Sequence, residues 1–174
     1  MARHPVSLKE KALQLIARRE YSRAELSSKL LSYGDPDSTE TSDQVERVLE
    51  RMTELGLLSD ERFAESFVRN RAPRMGRQRM AHELRQRGIA ATLANQMLDE
   101  VPEDDELTRA RQVWVKKFGT QSSDEDAEAG LDALSRAQRA QKRYAREARF
   151  LASRGFSADV IRQVLRERGQ DEPA

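Results

Sequence analysis

Apolar residues recur along this chain at spacings of three and four, as in Leu26, Leu30 and Tyr33 and in Val45, Val48, Leu49 and Met52. That is the period of an amphipathic helix, and alternating runs that would mark strands are nearly absent. Ser22 with Glu25 and Thr41 with Gln44 have capping-box spacing, while Ser59 and Ser157 stand where N-caps are expected. Phe156 precedes Ser157 by one residue and Ile161 follows it by four, the spacing of a hydrophobic staple. Gly34, Gly56, Gly88, Gly119 and Gly155 each close a periodic stretch, where a left-handed residue is inexpensive. Pro73 and Pro102 punctuate two further ends. The pattern predicts an all-α protein.

Self-comparison divides it further. SSKLLSYG (27–34), AHELRQRG (81–88) and ARFLASRG (148–155) share a small residue, a leucine and a terminal glycine in one register. Leu30, Leu84 and Leu151 each precede their glycine by four residues. Leu93 and Met97 then match Val160 and Val164, whereas the first copy reaches Val45 and Leu49 six residues later, after the polar loop 35–42. With a helical pattern upstream of each leucine, the expected architecture is a tandem array of three-helix repeats. The boundaries are 6–58, 59–101 and 105–169, the last carrying an acidic insert at about 120–135. That insert is expected as an extra helix capped by Ser123 or as a loop, and 170–174 as a disordered tail. Stacked units bury what one helix cannot bury alone.

Only 37% of the 174 residues are hydrophobic and 35% are charged, so several small cores fit better than one large one. Trp114, Phe63, Phe67, Phe118, Phe150 and Phe156 are expected at core positions, with Tyr144 also facing inward. The chain has no cysteine, so disulfides, thiolate metal sites and cysteine nucleophiles are excluded. Nothing resembles a signal peptide or a membrane span, which makes the cytoplasm the expected location. No phosphate-cradling glycine loop occurs, and the two histidines, His4 and His82, make a zinc site or a catalytic triad improbable. The carboxylates cluster at solvated helix ends, Asp60 and Glu61 among them, where they suit the helix dipole. The chain is therefore read as a non-enzyme without cofactor or metal.

Charge is segregated beneath a net value of +1. Residues 69–87 hold seven arginines against Glu83 alone, and 136–154 hold seven Lys or Arg against Glu147 alone. Acidic runs at 99–106 and 124–128 lie between them. Arginine dominates both basic blocks, and its planar fork suits phosphate and carboxylate. The candidate partner- or DNA-binding residues are Arg69, Arg71, Arg74, Arg77, Arg79, Arg85 and Arg87, with Arg139, Lys142, Arg143, Arg146 and Arg149.

The run SDERFAESFVRNRAPRMGRQRMAHELRQRGI (59–89) resembles the central signature of the RecX family. VERVLERMTELGLLSD (45–60) is similar to the end of that family's first unit, and QKRYAREARFLASRGFSADVIRQVLR (141–166) to its last, so the resemblance spans about residues 7–168. The matching signature positions are Asp60, Phe63, Ala64, Arg69, Arg71, Gly76, Leu84, Arg87 and Gly88. The acidic insert departs from the pattern. The resemblance implies a small cytosolic protein of tandem three-helix units in an elongated, curved array, most simply a monomer. It also implies binding to the RecA recombinase filament and restraint of its ATPase and strand exchange, with DNA binding in some members; the arginine patches at 69–87 and 139–154 predict that affinity for DNA to be weak and sequence-tolerant. Such a role belongs to DNA recombination, DNA repair and the SOS response. A DNA-binding helical protein of helix-turn-helix type is the alternative.

Overall fold

The computed structural model describes residues 7–34, 39–119 and 132–167, which are helical throughout apart from turns. Nine α-helices lie among them: α1 (Leu8–Ile16), α2 (Arg23–Leu31), α3 (Thr39–Glu54), α4 (Asp60–Arg71), α5 (Arg77–Gln86), α6 (Ala91–Asp99), α7 (Glu103–Phe118), α8 (Ala133–Ser153) and α9 (Ala158–Glu167). A single 3-10 turn, Ala72–Arg74, follows α4 and carries Pro73.

The N-caps are mostly serines. Ser22 accepts from the Glu25 amide, Ser59 from Arg62 and Ser157 from Val160. The reciprocal capping box forms at Ser7 and Glu10, each side chain bonding the other's backbone amide at 3.2 and 2.9 Å. Thr41 is no cap, because α3 is already helical from Thr39.

Glycine closes a helix with left-handed geometry only where the next residue is apolar. Gly56, Gly88 and Gly155 have φ of 67°, 78° and 82°. After each, the amide of Leu57, Ile89 or Phe156 bonds back to the carbonyl of Met52, Leu84 or Leu151. This is the Schellman closure, in which the residue after the glycine also packs on the residue that accepts its bond. It explains the Leu-to-Gly register: Leu84 with Ile89, and Leu151 with Phe156, are buried pairs. Gly34 and Gly119 are followed by Asp35 and Thr120, and neither glycine is left-handed.

The chain packs as two compact units. The first comprises 1–69 with 82–97, the second 70–81 with 98–174, so the division passes through α4 and α5. In the first unit Ala12, Leu15, Leu26, Leu30, Val45, Leu49, Met52 and Leu58 form one core. In the second, Ala110, Leu151, Phe156, Ile161, Val164 and Leu165 form another, with Trp114 and Phe150 packed against it. The staple pair Phe156 and Ile161 belongs to that core, and burying a ring such as Phe156 contributes about 1.5–3 kcal/mol. The expected helix at Ser123 and the tail 170–174 fall outside the described residues.

Each unit contains the same joint. In the first, the Ser22 hydroxyl, wholly buried, donates to the Arg87 carbonyl at 2.6 Å, and the Arg23 amide donates to Asp60 at 2.7 Å. In the second, the Gly76 amide donates to the Arg154 carbonyl at 2.8 Å, and the Arg77 amide donates to Glu106 at 2.9 Å. Ser22 and Gly76 both stand eight residues before their leucine, and Arg87-Gly88 and Arg154-Gly155 are the same dipeptide at the same place. An Arg-Gly helix end thus accepts from the Ser22 hydroxyl or the Gly76 amide, and an acidic residue satisfies the otherwise orphaned amide of the next residue. A Cβ on Gly88 would lie 2.4 Å from that of Ala24, and one on Gly155 would lie 2.3 Å from that of Arg79.

Alanine substitution should separate these glycines. Gly56 has nothing within 4 Å, so Gly56→Ala meets only the left-handed backbone penalty, about 1–2 kcal/mol. Gly88→Ala and Gly155→Ala add a clash, raising the loss by roughly a further 1–3 kcal/mol. Urea unfolding of the three variants measures the order, and equal losses would disprove the joint.

Candidate functional site

The second basic block is largely one helix. α8 carries six Lys or Arg, and its one acid, Glu147, is only 2% exposed. Arg139, Lys142, Arg146 and Arg149 are solvent-exposed, while Arg143 is half-buried. Their spacings of three, four and three residues place the four on one stripe, about 15 Å long at 1.5 Å per residue. Arg146 lies 5.4 Å from the Phe118 ring centre and Arg154 lies 5.2 Å from that of Phe150, while the two rings meet edge to face at 5.3 Å. Aromatic faces therefore support one guanidinium of the stripe, Arg146, and one beyond its C-terminal end, Arg154. Arg79, also exposed, donates to the Ser153 carbonyl at 2.7 Å, which adds a cation at the C-terminal end of α8.

At its other end α8 leaves the core. Residues 132–142 are exposed apart from half-buried Ser135, and Leu134 is 70% exposed. Asp132 caps this end, and the Ser135 amide bonded to it holds its carboxyl below the usual aspartate range. Tyr144 sits at the level where the helix departs and is 43% exposed, which corrects its expected core position. Phe150, six residues further on, packs against the core as expected. Trp114 is half-buried rather than enclosed; its ring lies 6.3 Å from Phe118 and its Nε1 donates to Glu147 at 2.9 Å.

The first basic block divides by role. Arg69, Arg71, Arg74, Arg79 and Arg85 are exposed. Arg77 is tied into the second unit: its guanidinium reaches the Leu98 carbonyl at 2.7 Å and also meets Asp99. Arg87 is tied into the first, facing Glu25 and Glu83 at 3.3 Å and standing 4.9 Å from the Phe67 ring centre. A cavity of about 350 Å³ in the second unit is lined by Arg77, Glu106, Arg109 and apolar residues from Leu98 to Val160. No described helix is long and apolar enough to cross a membrane.

Sequence reasoning missed Glu147 as a buried group. Its signal was present, because Glu147 stands four residues before Leu151 as Leu26 does before Leu30 and Met80 before Leu84. It also missed the Arg111–Glu167 clip from α7 to α9, in which the guanidinium holds the Glu167 carboxyl below the ordinary glutamate range.

Fold and surface together define an all-α protein of tandem three-helix domains with a solvent-facing guanidinium stripe. Residues 59–98 match the model of the RecX second three-helix domain, and 134–165 that of the RecX third three-helix domain. The chain is 37% identical over 172 residues to the regulatory protein RecX of Chromobacterium violaceum, covering 99% of this chain and 97% of that one. It is 39% identical to the regulatory protein RecX of Leptothrix cholodnii, covering 94% and 90%. The chain belongs to the RecX family. Its fold is that of the crystal structure of RecX from Lactobacillus salivarius, with a TM-score of 0.67 at 20% identity over 92% of this chain and 93% of that one.

Arginines of the two roles should respond differently to substitution. Arg87→Ala removes a half-buried guanidinium from two carboxylates and a ring, at a cost of about 1–2 kcal/mol in unfolding free energy. Arg139, Lys142 and Arg149 changed together to Ala should leave stability within error. The same change should flatten the salt dependence of DNA binding by about 0.7–0.9 for each phosphate released. Fluorescence anisotropy over a salt series checks the second outcome, and an unchanged slope would move the interface elsewhere.

Proposed function

We propose that this RecX-family protein binds the RecA recombinase filament on DNA and lowers its ATPase and strand-exchange activity. Its curated relatives are named regulatory proteins, and they align over nearly the whole chain. The observation that carries the reading is the α8 stripe: four exposed cations on a helix whose one acid is turned into the core. A nucleoprotein filament offers phosphate and repeated protein subunits together. A protein with basic groups in several tandem domains can engage more than one of them, and linked attachments raise the effective concentration of each later one. Arg139, Lys142, Arg146 and Arg149 are assigned to phosphate or acidic subunit edges, together with Arg69, Arg71, Arg74, Arg79 and Arg85. Arg87 in the first unit, and Arg77 and Arg143 in the second, are half-buried and are assigned supporting roles within their own units. The protein acts in the cytoplasm as a monomer, through repeats at 6–58, 59–101 and 105–169, and hydrolyses nothing itself.

The second reading, direct action on DNA alone, is favoured by the same stripe, because phosphate neutralisation needs no protein partner. One experiment separates the two. Added below stoichiometry with recombinase monomers, the full-length protein should lower DNA-dependent ATP hydrolysis and strand exchange by its cognate RecA. The Arg139, Lys142 and Arg149 alanine variant should do so less well. Untouched rates across a range of salt, with DNA affinity retained, would leave the DNA reading in place of the modulator.

A further inference from the structure

Two repeats fill one core position with hydrocarbon, and the third fills it with a carboxylate. Leu26 and Met80 are 0% and 1% exposed, and Glu147, at the same place before its leucine, is 2% exposed. Its Oε2 accepts from Nε1 of Trp114, the chain's single tryptophan, at 2.9 Å. Burying a carboxylate is unfavourable unless its hydrogen bonds offset the lost hydration, a cost that packed hydrocarbon does not meet. Apolar burial therefore does not account for Glu147. A directed hydrogen bond supplies what packed hydrocarbon lacks, a fixed rotation and a fixed height of one helix on another. On α8 those two quantities decide where the cationic stripe points. Each residue of helix turns about 100°, and each full turn rises about 5.4 Å, so a slip of one residue would carry the stripe off its face.

We propose that Glu147 is a positioning residue: bonded to Trp114 of α7, it sets the rotation and height of α8 and so aims Arg139, Lys142, Arg146 and Arg149 at a polyanion. The inference rests on the stripe being the anion-binding surface, as proposed above. It assigns the buried acid to the interface without placing it in contact with the ligand.

The test compares Glu147→Leu, Glu147→Gln and Trp114→Phe in the full-length chain. The probe is a short labelled single-stranded oligothymidylate titrated over a salt series, with thermal unfolding followed in parallel. Glu147→Leu places at 147 the residue found at position 26 and keeps the core filled, so it should remain folded, with its unfolding temperature read in parallel. It should bind severalfold more weakly, with a salt slope reduced by about 0.7, the loss of one phosphate on a single strand. Glu147→Gln keeps an acceptor for the indole and should bind like wild type, with the Trp114 emission unshifted. Trp114→Phe removes the donor and should weaken binding as Glu147→Leu does. Wild-type affinity and slope in Glu147→Leu would overturn the inference, as would a loss in Glu147→Gln equal to that in Glu147→Leu. Should Glu147→Leu fail to fold, Trp114→Phe decides: a lowered slope supports positioning and a wild-type slope overturns it. The stripe itself is checked by the Arg139, Lys142 and Arg149 alanine variant. A wild-type slope there removes the anion-binding surface and the role of Glu147 with it.

Discussion

A helix that begins inside a protein has amide groups with no partner of its own, and this chain meets that demand from a neighbouring repeat. The first turns of α2 and α5 are sealed by a carbonyl from an Arg-Gly helix end and by a carboxylate from the start of a further helix. Buried backbone donors must be satisfied, so the spacing of repeats is fixed by hydrogen bonds as much as by apolar burial. The glycines follow from the same closeness. Ser22 reaches its carbonyl with a hydroxyl, whereas Gly76 reaches it with its own amide, and a Cβ there would lie 2.3 Å from the Gly155 oxygen.

That geometry explains why the signature of the middle repeat mixes glycine, arginine and acid so densely. Asp60 seals the joint of the first unit, Arg87 contributes a carbonyl to it, and its guanidinium then folds back over Phe67 towards Glu25 and Glu83. Arginine serves here because its planar head can stack and pair at once, which an ammonium group does poorly. Several basic residues that resemble a binding block are thus part of the frame. The exposed ones, Arg69, Arg71, Arg74, Arg79 and Arg85, are left facing solvent.

Much of the fold was legible because it is local. The Leu30, Leu84 and Leu151 register, the serine caps at 22, 59 and 157, and the Phe156–Ile161 staple are all within-turn relations that periodicity reveals. The all-helical class and the tandem three-helix domains follow from them. The glycine rule was half legible: five glycines share a position, but only those followed by an apolar residue close left-handed. What could not be read is tertiary. Nothing local says that Ser22 meets Arg87, separated by 65 residues, or that Arg77 is tied to the Leu98 carbonyl while Arg79 is exposed. Tyr144 has the spacing of a core residue, and it is exposed because the helix outruns the core beneath it. The interface residues were legible as a stripe on α8 and only as a charge count in the block at 69–87.

The third repeat keeps the leucine–glycine frame but abandons the joint. Position 143, eight residues before Leu151, corresponds to Ser22 and Gly76, yet it lies within a continuous 21-residue helix and starts nothing. There is no helix end there for another repeat to seal. The added turns stand on exposed residues, so packing contributes little to them, and short helical segments in water are marginal without such support. Their side chains oppose them further. Arg139 with Arg143, and Lys142 with Arg146, are like charges one turn apart, a spacing at which repulsion weakens a helix. The Asp132 cap and the Glu147–Trp114 bond hold this stretch from its two ends. A polyanion lying along α8 would set phosphate against Arg139, Lys142, Arg146 and Arg149, and added salt would weaken that attraction even as it screens the like charges from one another.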